Sequence, residues 1–459
     1  MQWTDTRSVM GLLVLSLFLP GFASSLQAQA PRRPNMIFIM ADDLGYGDLG
    51  CYGQEEIATP HIDRLAAEGM RFTNYYAGCT VCRPSRLVLW SGLHTGHTPI
   101  DSNAPYVLQP QDVTVAELLQ DAGYATGGVG KWSLGGVGTT GHPNLQGFDY
   151  WMGYLDQSEA HNYYPTYLWQ NSEQVSLPGN VIGDYEGGRG RVSVQRVTYS
   201  HDVITQRMLD FVRRHRDGPF LLHVHWTLPH ANNEAGRVLG DGMEVPTYGE
   251  YAQKDWPNPE KGFAAMLRRM DGDVGRLVSL LKELQIDQHT LVLFTSDNGP
   301  HAEGGHDHEF FNSNGPLRGY KRDLYEGGIR VPMIAWWPGH IPAGTVEDEP
   351  LAHYDWLPTA CDLAGVSIPD AIDGISMVPA LLGRPQPSHS YLYWSYETKR
   401  AVRRGKWKAV VPGKDKSLEL YDLEEDLGET RNVVAEFPQV ASAMSAILES
   451  VERERIARP

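Results

Sequence analysis

The sequence predicts an α/β fold with a mostly parallel central sheet, followed by a small antiparallel sheet with a helix. Short apolar runs of strand length alternate with helical patterns, and these runs lie at 36–40, 124–129, 220–226, 291–295 and 331–336. This alternation is typical of a parallel sheet that helices cover on both faces. Beyond residue 385 the pattern changes to closely spaced β-type runs at 391–396, 401–402, 407–411 and 418–421. An amphipathic helix from about residue 438 to residue 455 then ends the chain.

The first 30 residues have the pattern of a secretory signal peptide. Arg7 precedes an apolar run from Val9 to Leu19, and Pro20 and Gly21 end this run at once. The run is shorter than the roughly 20 apolar residues of a transmembrane helix, and no cysteine lies close behind it for lipid attachment. We therefore expect an exported protein, periplasmic or extracellular, without a stable membrane anchor.

Length and charge restrict the domain organisation and the class of partner. A chain of 459 residues is long enough for one large and one small domain, which we place at residues 31–385 and 386–459. The net charge is −17, from 39 basic and 56 acidic residues. This balance argues against a nucleic-acid surface and against a polybasic membrane patch. An anionic substrate stays open, because a local cationic pocket can form on an acidic protein.

Proline, glycine and apolar spacing mark the predicted helices. Thr59 and Pro60 predict the start of a first helix, which Gly69 ends. A second helix is predicted from residue 113 to residue 122. A third is predicted from residue 263 to residue 284, where the methionines at helical spacing are interpreted as core residues.

Polar side chains follow three of the predicted strands. Asp42 and Asp43 come directly after the first run, Lys131 follows the second, and Asp297 and Asn298 follow the fourth. In open parallel sheets, ligand sites gather beyond the carboxyl ends of the strands. Carboxylate and amide oxygens suit Ca²⁺ or Mg²⁺. Taken alone, however, each acidic pair is more typical of a turn or a helix cap.

The four cysteines of the chain are too few for a disulfide scaffold. Cys79 and Cys82 form a C-x-x-C pair, which a redox site would also use. No thioredoxin-like βαβ pattern surrounds the pair, and a redox role leaves Pro84 and Arg86 unexplained. The segment Cys82–Arg86, C-R-P-S-R, instead resembles the signature of type I sulfatases, in which the cysteine is oxidised to formylglycine (3-oxoalanine).

Other segments resemble the same family. Residues 34–53 resemble its opening strand and acidic loop, and residues 295–299 resemble its second metal motif. The resemblance implies an alkaline-phosphatase-like α/β sandwich and maturation by a formylglycine-generating enzyme. It also implies one bound Ca²⁺, or Mg²⁺ in its place, with ligands from Asp42, Asp43, Asp297, Asn298 and the modified Cys82.

The resemblance further implies catalytic roles for four other residues. Arg86 would anchor the formylglycine, Lys131 and Lys321 would contact the sulfate, and His230 with Lys321 would protonate the leaving oxygen. The implied reaction is attack of a formylglycine hydroxyl on sulfur, followed by expulsion of sulfate and return of the aldehyde. The chain is thus expected to be a sulfuric ester hydrolase.

One position departs from the family pattern. The family usually reads G-K-W-H-L-G, whereas residues 130–135 read G-K-W-S-L-G. Ser133 therefore stands where a histidine helps to resolve the sulfated intermediate, and a serine cannot act as a base near neutral pH. His161 lies in a segment that resembles bacterial polysaccharide sulfatases, and it is a candidate for this role or for substrate contact. A loop histidine without a catalytic role explains it equally well.

Further histidines are harder to assign. His301 and Glu303 belong to a polar cluster after the second metal motif, and we interpret them as substrate contacts, with a second metal as the alternative. His223 and His225 alternate along one predicted strand. We expect one of the two to face the core and the other to face the opposite layer.

The expected substrate is a sulfated glycan cut at a terminal residue, with a galactose-type sugar. Two other functions stay open. One is a phosphonate or phosphate ester hydrolase on the same fold, because related hydrolases also use formylglycine. The other is a glycan-binding relative that lost turnover together with the histidine at position 133.

Overall fold

The structure, a computed structural model, describes residues 1–4, 6, 33–185, 191–414 and 416–457. Apart from residues 1–4 and 6, the predicted signal peptide (residues 1–30) lies outside the described residues. Within the described part of the chain, no helix combines the length and the apolar character needed to cross a bilayer. The domain boundary at residue 385 stays a prediction.

The described residues form eighteen strands and ten α-helices. The strands are β1 (Asn35–Ala41), β2 (Met70–Phe72), β3 (Tyr75–Tyr76), β4 (Ala125–Lys131), β5 (Tyr150–Tyr154), β6 (Tyr167–Gln170), β7 (Glu173–Ser176), β8 (Val181–Ile182), β9 (Ser193–Gln195), β10 (Phe220–His225), β11 (Thr290–Ser296), β12 (Met333–Trp336), β13 (Thr345–Glu347), β14 (Leu351–Ala352), β15 (Leu392–Tyr396), β16 (Lys399–Arg404), β17 (Trp407–Val411) and β18 (Glu419–Asp422). The helices are α1 (Pro60–Glu68), α2 (Cys82–Ser91), α3 (Val115–Asp121), α4 (Ser200–His215), α5 (Asn233–Leu239), α6 (Asn258–Glu283), α7 (Glu326–Ile329), α8 (Trp356–Ala364), α9 (Val378–Leu381) and α10 (Pro438–Ala457).

A large mixed sheet, ten-stranded within the described residues, carries the fold. Its strand order is β13-β2-β12-β11-β1-β10-β4-β5-β6-β7. The five central strands, from β11 to β5, are parallel to one another, whereas β12, β6 and β7 run antiparallel to their neighbours. In this register Ile39 of β1 pairs with Val224 of β10 and with Phe294 of β11. The predicted mostly parallel sheet is confirmed.

Strand β1 shows why this sheet is buried on both faces. Every residue of β1 is buried. Ile37 and Ile39 pack into the cluster that contains α1, α4 and α6, whereas Phe38 and Met40 pack into the cluster that contains α2, α3 and α8. Since alternate side chains point to opposite faces, a central parallel strand must be apolar at nearly every position.

The small C-terminal sheet is antiparallel in the order β15-β16-β17-β18, as predicted. One face, with Val402 and Leu420, packs with α10. The other face, with Trp394 and Val410, packs on residues of the main sheet region such as Ile329. The C-terminal sheet is therefore buried on both sides, once by its own helix and once by the larger part of the protein.

Helix α3 begins with a capping box. The Thr114 Oγ accepts a hydrogen bond from the Glu117 backbone N–H at 3.2 Å, and the Glu117 carboxylate accepts one from the Thr114 N–H at 2.8 Å. The Thr114 hydroxyl also donates to the Gln146 carbonyl at 3.0 Å. These bonds satisfy amides that a helix start otherwise leaves unpaired.

Replacing Thr114 by alanine is expected to lower the free energy of unfolding by about 1–2 kcal/mol, because the cap and the bond to Gln146 are both lost. Urea unfolding followed by circular dichroism measures the change. Thr114→Ser keeps the hydroxyl and serves as the matched control, with a smaller loss. A serine variant as unstable as the alanine variant would contradict the role of the hydroxyl.

Candidate active site

The polar residues that follow the central strands meet at one edge of the main sheet. Parallel strands present their carboxyl ends at the same edge, so side chains far apart in sequence become neighbours. The structure brings nine predicted site residues together there: Asp42, Asp43, Cys82, Arg86, Lys131, His230, Asp297, Asn298 and Lys321.

Cys82 is the first residue of α2 and is fully buried. Its Sγ lies 3.3 Å from the Asp42 Oδ1 and 4.0 Å from the Asp43 Oδ1. Burial, and then the nearby Asp42 charge, raise the pKa of the Cys82 thiol well above its usual value. The thiol is therefore protonated at neutral pH, and a protonated thiol is a poor nucleophile. Cys79 and Cys82 are free thiols in this structure.

Arg86 ties α2 to the ends of three strands. Its Nε and one terminal nitrogen donate to the Asp297 Oδ2 at 3.1 and 2.8 Å. The same terminal nitrogen lies 3.5 Å from the Asp42 Oδ2, and the other donates to the Lys131 carbonyl at 3.1 Å. A planar guanidinium fixes the direction of each bond, so Arg86 sets the positions of both carboxylates.

Two buried lysines complete the positive side of the site. The Lys131 Nζ lies 2.7 Å from the Asp42 Oδ2, and the Lys321 Nζ lies 2.7 Å from the Asp43 Oδ2. Burial opposes the charge on both lysines. The adjacent carboxylates outweigh this effect and raise the pKa of Lys131 and of Lys321 above the usual value, so both carry a positive charge.

The acidic side of the site is not fully compensated. Burial disfavours charge on each carboxylate, but Lys131 and Lys321 hold the pKa of Asp42 and Asp43 below the usual value. Burial and the Asp42 charge instead raise the pKa of Asp297 to about 7, in spite of Arg86.

The Asn298 Nδ2 donates to the Asp43 Oδ1 at 2.8 Å, while the Asn298 Oδ1 is buried without a partner among the described residues. These oxygens could hold a metal ion.

His230 sits between the lysine and the acid. Its Nε2 lies 3.3 Å from the Lys321 Nζ and 3.4 Å from the Asp43 Oδ2, and its Nδ1 lies 2.6 Å from the Ala231 carbonyl. Since a carbonyl only accepts, Nδ1 carries the proton of the neutral ring and Nε2 accepts from Lys321. Burial, and then the Lys321 charge, lower the pKa of His230 to about 3.

A cavity of about 750 Å³ opens beside this cluster. Ser133, His161, His230 and Lys321 contribute to its wall. Cys82 is fully buried, and its neighbour Arg83 is part of the wall. Sequence reasoning missed several other lining residues, which include Asn103, Tyr106, Gln157, Trp169 and Arg322. They lie on loops and short strands where no motif marks them.

Ser133 and His161 occupy different places in this wall. Ser133 has a left-handed backbone, with φ of 75°, and its buried hydroxyl has no partner among the described residues. His161 stacks on His230, with ring centroids 4.8 Å apart, and its Nδ1 lies 3.1 Å from a Glu234 carboxylate oxygen. His161 thus lies against the residue that faces Lys321.

The polar cluster after the second metal motif divides in the structure. Glu303 bridges Lys321, at 3.1 Å, and Arg322. His301 is fully buried, with its Nε2 3.1 Å from the Pro229 carbonyl. His306 is also buried and pairs with Glu260 of α6 at 2.6 Å. None of these three cluster residues is among the residues that line the cavity.

The expectation for His223 and His225 was wrong. Residues two apart on a strand share a face, and the His223 Nδ1 lies 3.2 Å from the His225 Nε2. Both rings are fully buried beside Trp90. The His225 Nδ1 lies 3.0 Å from a terminal nitrogen of Arg86, so this pair helps to hold the guanidinium.

The sequence analysis also missed Ser85 and His353, which support the backbone at Asp297. The Ser85 hydroxyl donates to the Asp297 carbonyl at 2.5 Å. The His353 Nδ1 lies 3.2 Å from that hydroxyl and accepts from the Gly78 N–H at 3.0 Å. The position of Ser85 inside the Cys82 motif is the one feature of the sequence that could have indicated its role.

The comparison with known families agrees with this geometry. A model of the sulfatase family matches residues 34–366. A model of the C-terminal part of N-sulphoglucosamine sulphohydrolase matches residues 318–456. The two matches together include every residue of the cluster around Cys82 and the C-terminal sheet.

Individual relatives agree as well. An N-acetylgalactosamine-6-sulfatase from Canis lupus familiaris is 34% identical over 424 residues, which are 87% of this chain and 74% of the relative. An N-acetylgalactosamine-6-O-sulfatase from Bacteroides thetaiotaomicron is 29% identical and covers 92% of this chain and 94% of its own. The crystal structure of Ps i-CgsB in complex with k-i-k-neocarrahexaose has a TM-score of 0.79 at 27% identity, over 92% of this chain and 93% of that one. The chain therefore belongs to the sulfatase family, with its alkaline-phosphatase-like fold, and it is a sulfuric ester hydrolase.

Proposed function

We propose that the protein removes sulfate from a sulfated carbohydrate, with Cys82 matured to formylglycine and one Ca²⁺ in the acidic cluster. The observation that carries this proposal is the position of Cys82. Its sulfur lies 3.3 Å from Asp42, at the start of α2 and among three carboxylates and three cations. A protonated thiol has no evident use there, whereas an oxygen nucleophile would have metal ligands and sulfate-binding cations around it.

Formylglycine would supply the nucleophile, one hydroxyl of its hydrated aldehyde. The thiol itself is unsuited to this task, because burial and Asp42 keep it protonated. The conversion requires a formylglycine-generating enzyme, which is the maturation partner we expect. Arg86 supports the modified residue from the next turn of α2 and keeps Asp42 and Asp297 beside it.

The residues present fit a hard divalent cation. Asp42, Asp43, Asp297 and Asn298 offer oxygen ligands at the ends of two adjacent strands. The Asn298 Oδ1, which has no partner within the described part of the chain, and the raised pKa of Asp297 both indicate a shortage of positive charge at this point. A bound Ca²⁺, or Mg²⁺ in its place, would supply Lewis acidity towards the sulfate oxygens.

The chain's own cations would bind the sulfate and move the proton. Lys131 and Lys321 are buried and charged, so they stabilise negative charge on the sulfate oxygens without reorganisation. The leaving sugar oxygen needs a proton. The Lys321 ammonium can give the leaving oxygen this proton, and His230, whose Nε2 accepts from the same ammonium at 3.3 Å, holds it for that transfer.

The substrate we propose is a terminal galactose-type sugar with a 6-sulfate, cut by an exo-acting and exported enzyme. Two relatives carry names for action on N-acetylgalactosamine-6-sulfate, and the similar structure of Ps i-CgsB is a complex with k-i-k-neocarrahexaose. A cavity of about 750 Å³ has the size of a site for one or two sugar rings. Trp169 in its wall offers an aromatic surface for a sugar. His161 lies on the leaving-group side, beside His230, which favours substrate contact as its role.

Maturation of Cys82 is the direct test. We expect that co-expression with a formylglycine-generating enzyme converts the Cys82 side chain from CH₂SH to CHO, as read from the mass of the peptide that contains it. The matured protein should release sulfate from N-acetylgalactosamine-6-sulfate, and Cys82→Ala should lose this activity by at least about 10³-fold. Cys51→Ala changes a cysteine outside the site and should keep it.

Other outcomes of that experiment separate the alternatives. Faster hydrolysis of the matching 6-phosphate ester would favour a phosphate or phosphonate ester hydrolase. Matured protein that binds sulfated glycans without releasing sulfate would indicate a binding relative whose turnover Ser133 impairs. An unmodified thiol after co-expression would contradict the formylglycine mechanism.

Asp297→Asn tests the metal site through stability. Without metal, the native Asp297 carboxyl has a pKa of about 7, against a reference value of 3.8. Its contribution to stability is therefore present below pH 4 and is lost as the pH rises towards 7. We compare the two proteins with a metal chelator present. Between about pH 4 and pH 7, the unfolding free energy of the wild type should fall relative to that of Asp297→Asn by up to about 1.4 kcal/mol per pH unit.

Saturating Ca²⁺ should reverse this loss in the wild type, because the ion favours the ionised carboxylate. The variant should gain less from Ca²⁺, since an amide is a weaker ligand than a carboxylate. Urea unfolding at several pH values, with and without Ca²⁺, measures both effects. A pH-independent difference between the two proteins would contradict this assignment.

His230→Ala tests the proton path. We expect hydrolysis of a sugar sulfate to slow by about 10²–10⁴-fold, because the Lys321 ammonium is then no longer held for proton transfer to the leaving oxygen. Hydrolysis of 4-nitrophenyl sulfate should slow much less, since nitrophenolate leaves without a proton. Steady-state kcat on both substrates gives the comparison, and His289→Ala, at an exposed position, is the control. Equal losses on both substrates would argue against a role of His230 in this proton transfer.

A further inference from the structure

The segment that carries Lys321 is a loop between the second metal motif and α7. Residues 318–326, here called the Lys321 segment, form no strand and reach a helix only at Glu326, where α7 begins. Two backbone bonds connect its centre to the catalytic side: the Lys321 N–H donates to the Pro300 carbonyl at 2.9 Å, and the Arg322 N–H donates to the Thr80 carbonyl at 3.2 Å. Turn bonds from the Asp323 N–H to the Tyr320 carbonyl at 2.8 Å and from the Gly327 N–H to the Arg318 carbonyl at 2.7 Å shape the segment, and contacts on its other side add to them.

That other side is the C-terminal sheet, which contacts the Lys321 segment along its whole length. Contacts come from β16, β17, β18 and the loop after β18. They are Arg318 to the Glu429 carbonyl at 2.7 Å and to the Tyr421 hydroxyl at 3.1 Å, Lys399 to the Arg322 carbonyl at 2.7 Å and to Asp323 at 3.0 Å, Tyr325 to Glu419 at 2.7 Å, and Glu326 to Lys408 at 2.9 Å.

Among these contacts, Lys399 acts next to the catalytic lysine. Arg322 follows Lys321 directly and has a φ of 79°, a left-handed conformation that costs free energy for any residue with a Cβ. The Lys399 ammonium donates to the carbonyl of this strained residue and to the side chain of Asp323. Two charge-assisted bonds therefore hold the turn in which Lys321 sits.

Lys399 can be removed without a large cost to the fold. Its side chain is 27% exposed, so its ion pair with Asp323 contributes little to stability. Lys408 differs in this respect, because it is fully buried between Glu326 and Glu429, at 2.9 Å from each. Glu326 also pairs with Arg330 at 3.1 Å, but loss of Lys408 would leave the buried Glu429 carboxylate without its cation and would destabilise the interface.

We propose that Lys399, on β16 of the C-terminal sheet, is a positioning residue for Lys321. The proposal rests on the function proposed above, in which Lys321 binds the sulfate and supplies the leaving-group proton. Lys399 does not line the active-site cavity. Its effect is to keep the Lys321 ammonium at its distance from Asp43 and His230, and a small displacement of such a group slows the chemical step more than it weakens binding.

Lys399→Met, Lys399→Arg and Lys406→Met test this role in the matured full-length protein. Lys406 lies between β16 and β17 and pairs with Asp422 at 2.5 Å, so its variant removes a comparable ion pair of the same sheet away from the Lys321 segment. We expect Lys399→Met to lower kcat on the sugar sulfate about 10- to 100-fold with little change in KM. Lys399→Arg should recover most of the activity, and Lys406→Met should match the wild type.

Hydrogen exchange gives a readout that does not depend on turnover. The peptide that contains residues 318–326 should exchange faster in Lys399→Met than in the wild type, and Lys406→Met should leave its exchange unchanged. The proposal is overturned if Lys399→Met keeps wild-type kcat and exchange, or if its kcat falls only together with a drop in Tm. A wild type that releases no sulfate would instead refute the proposed function, and the exchange data would still decide the positioning role.

Discussion

The rest of the structure depends on the compensation of charge buried at one edge of the main sheet. Three carboxylates and three cations lose water there, which the fold tolerates only if each charge finds a partner at close range. Arg86 carries much of this compensation, because its rigid fork reaches Asp297 and Asp42 while another nitrogen holds the Lys131 carbonyl. The position of Cys82 follows, since Arg86 and Cys82 lie one turn apart on α2.

This compensation is uneven, and the imbalance divides the site chemically. On the side of Lys131 and Lys321 the adjacent carboxylates outweigh burial, and both lysines stay charged. On the side of Asp297 and Asn298 an acid is driven towards its neutral form and an amide oxygen lacks a partner among the described residues. One side is suited to an anionic sulfate and the other to a divalent cation, so substrate and metal would meet next to residue 82.

The histidines of the cavity wall lie beside Lys321, whereas Ser133 occupies another part of the wall. His230, Lys321 and His161 lie together, and Glu234 orients His161. Ser133 offers a hydroxyl that has no basicity and, within the part of the chain that the structure describes, no partner. In the proposed mechanism, turnover of the sulfated intermediate would therefore depend on groups other than residue 133, and the stack of His161 on His230 would place His161 with the leaving group.

The sequence by itself determined the class of fold and the central residues. Apolar runs such as residues 36–40 of β1 predict buried parallel strands, and acids close behind them predict a site at the strand ends, because both patterns are local. Only the tertiary structure decided which residues support that site. His225 against Arg86, Ser85 against Asp297 and Lys399 against the turn after Lys321 join positions distant along the chain. Packing sets such pairs, and no spacing along one chain encodes them.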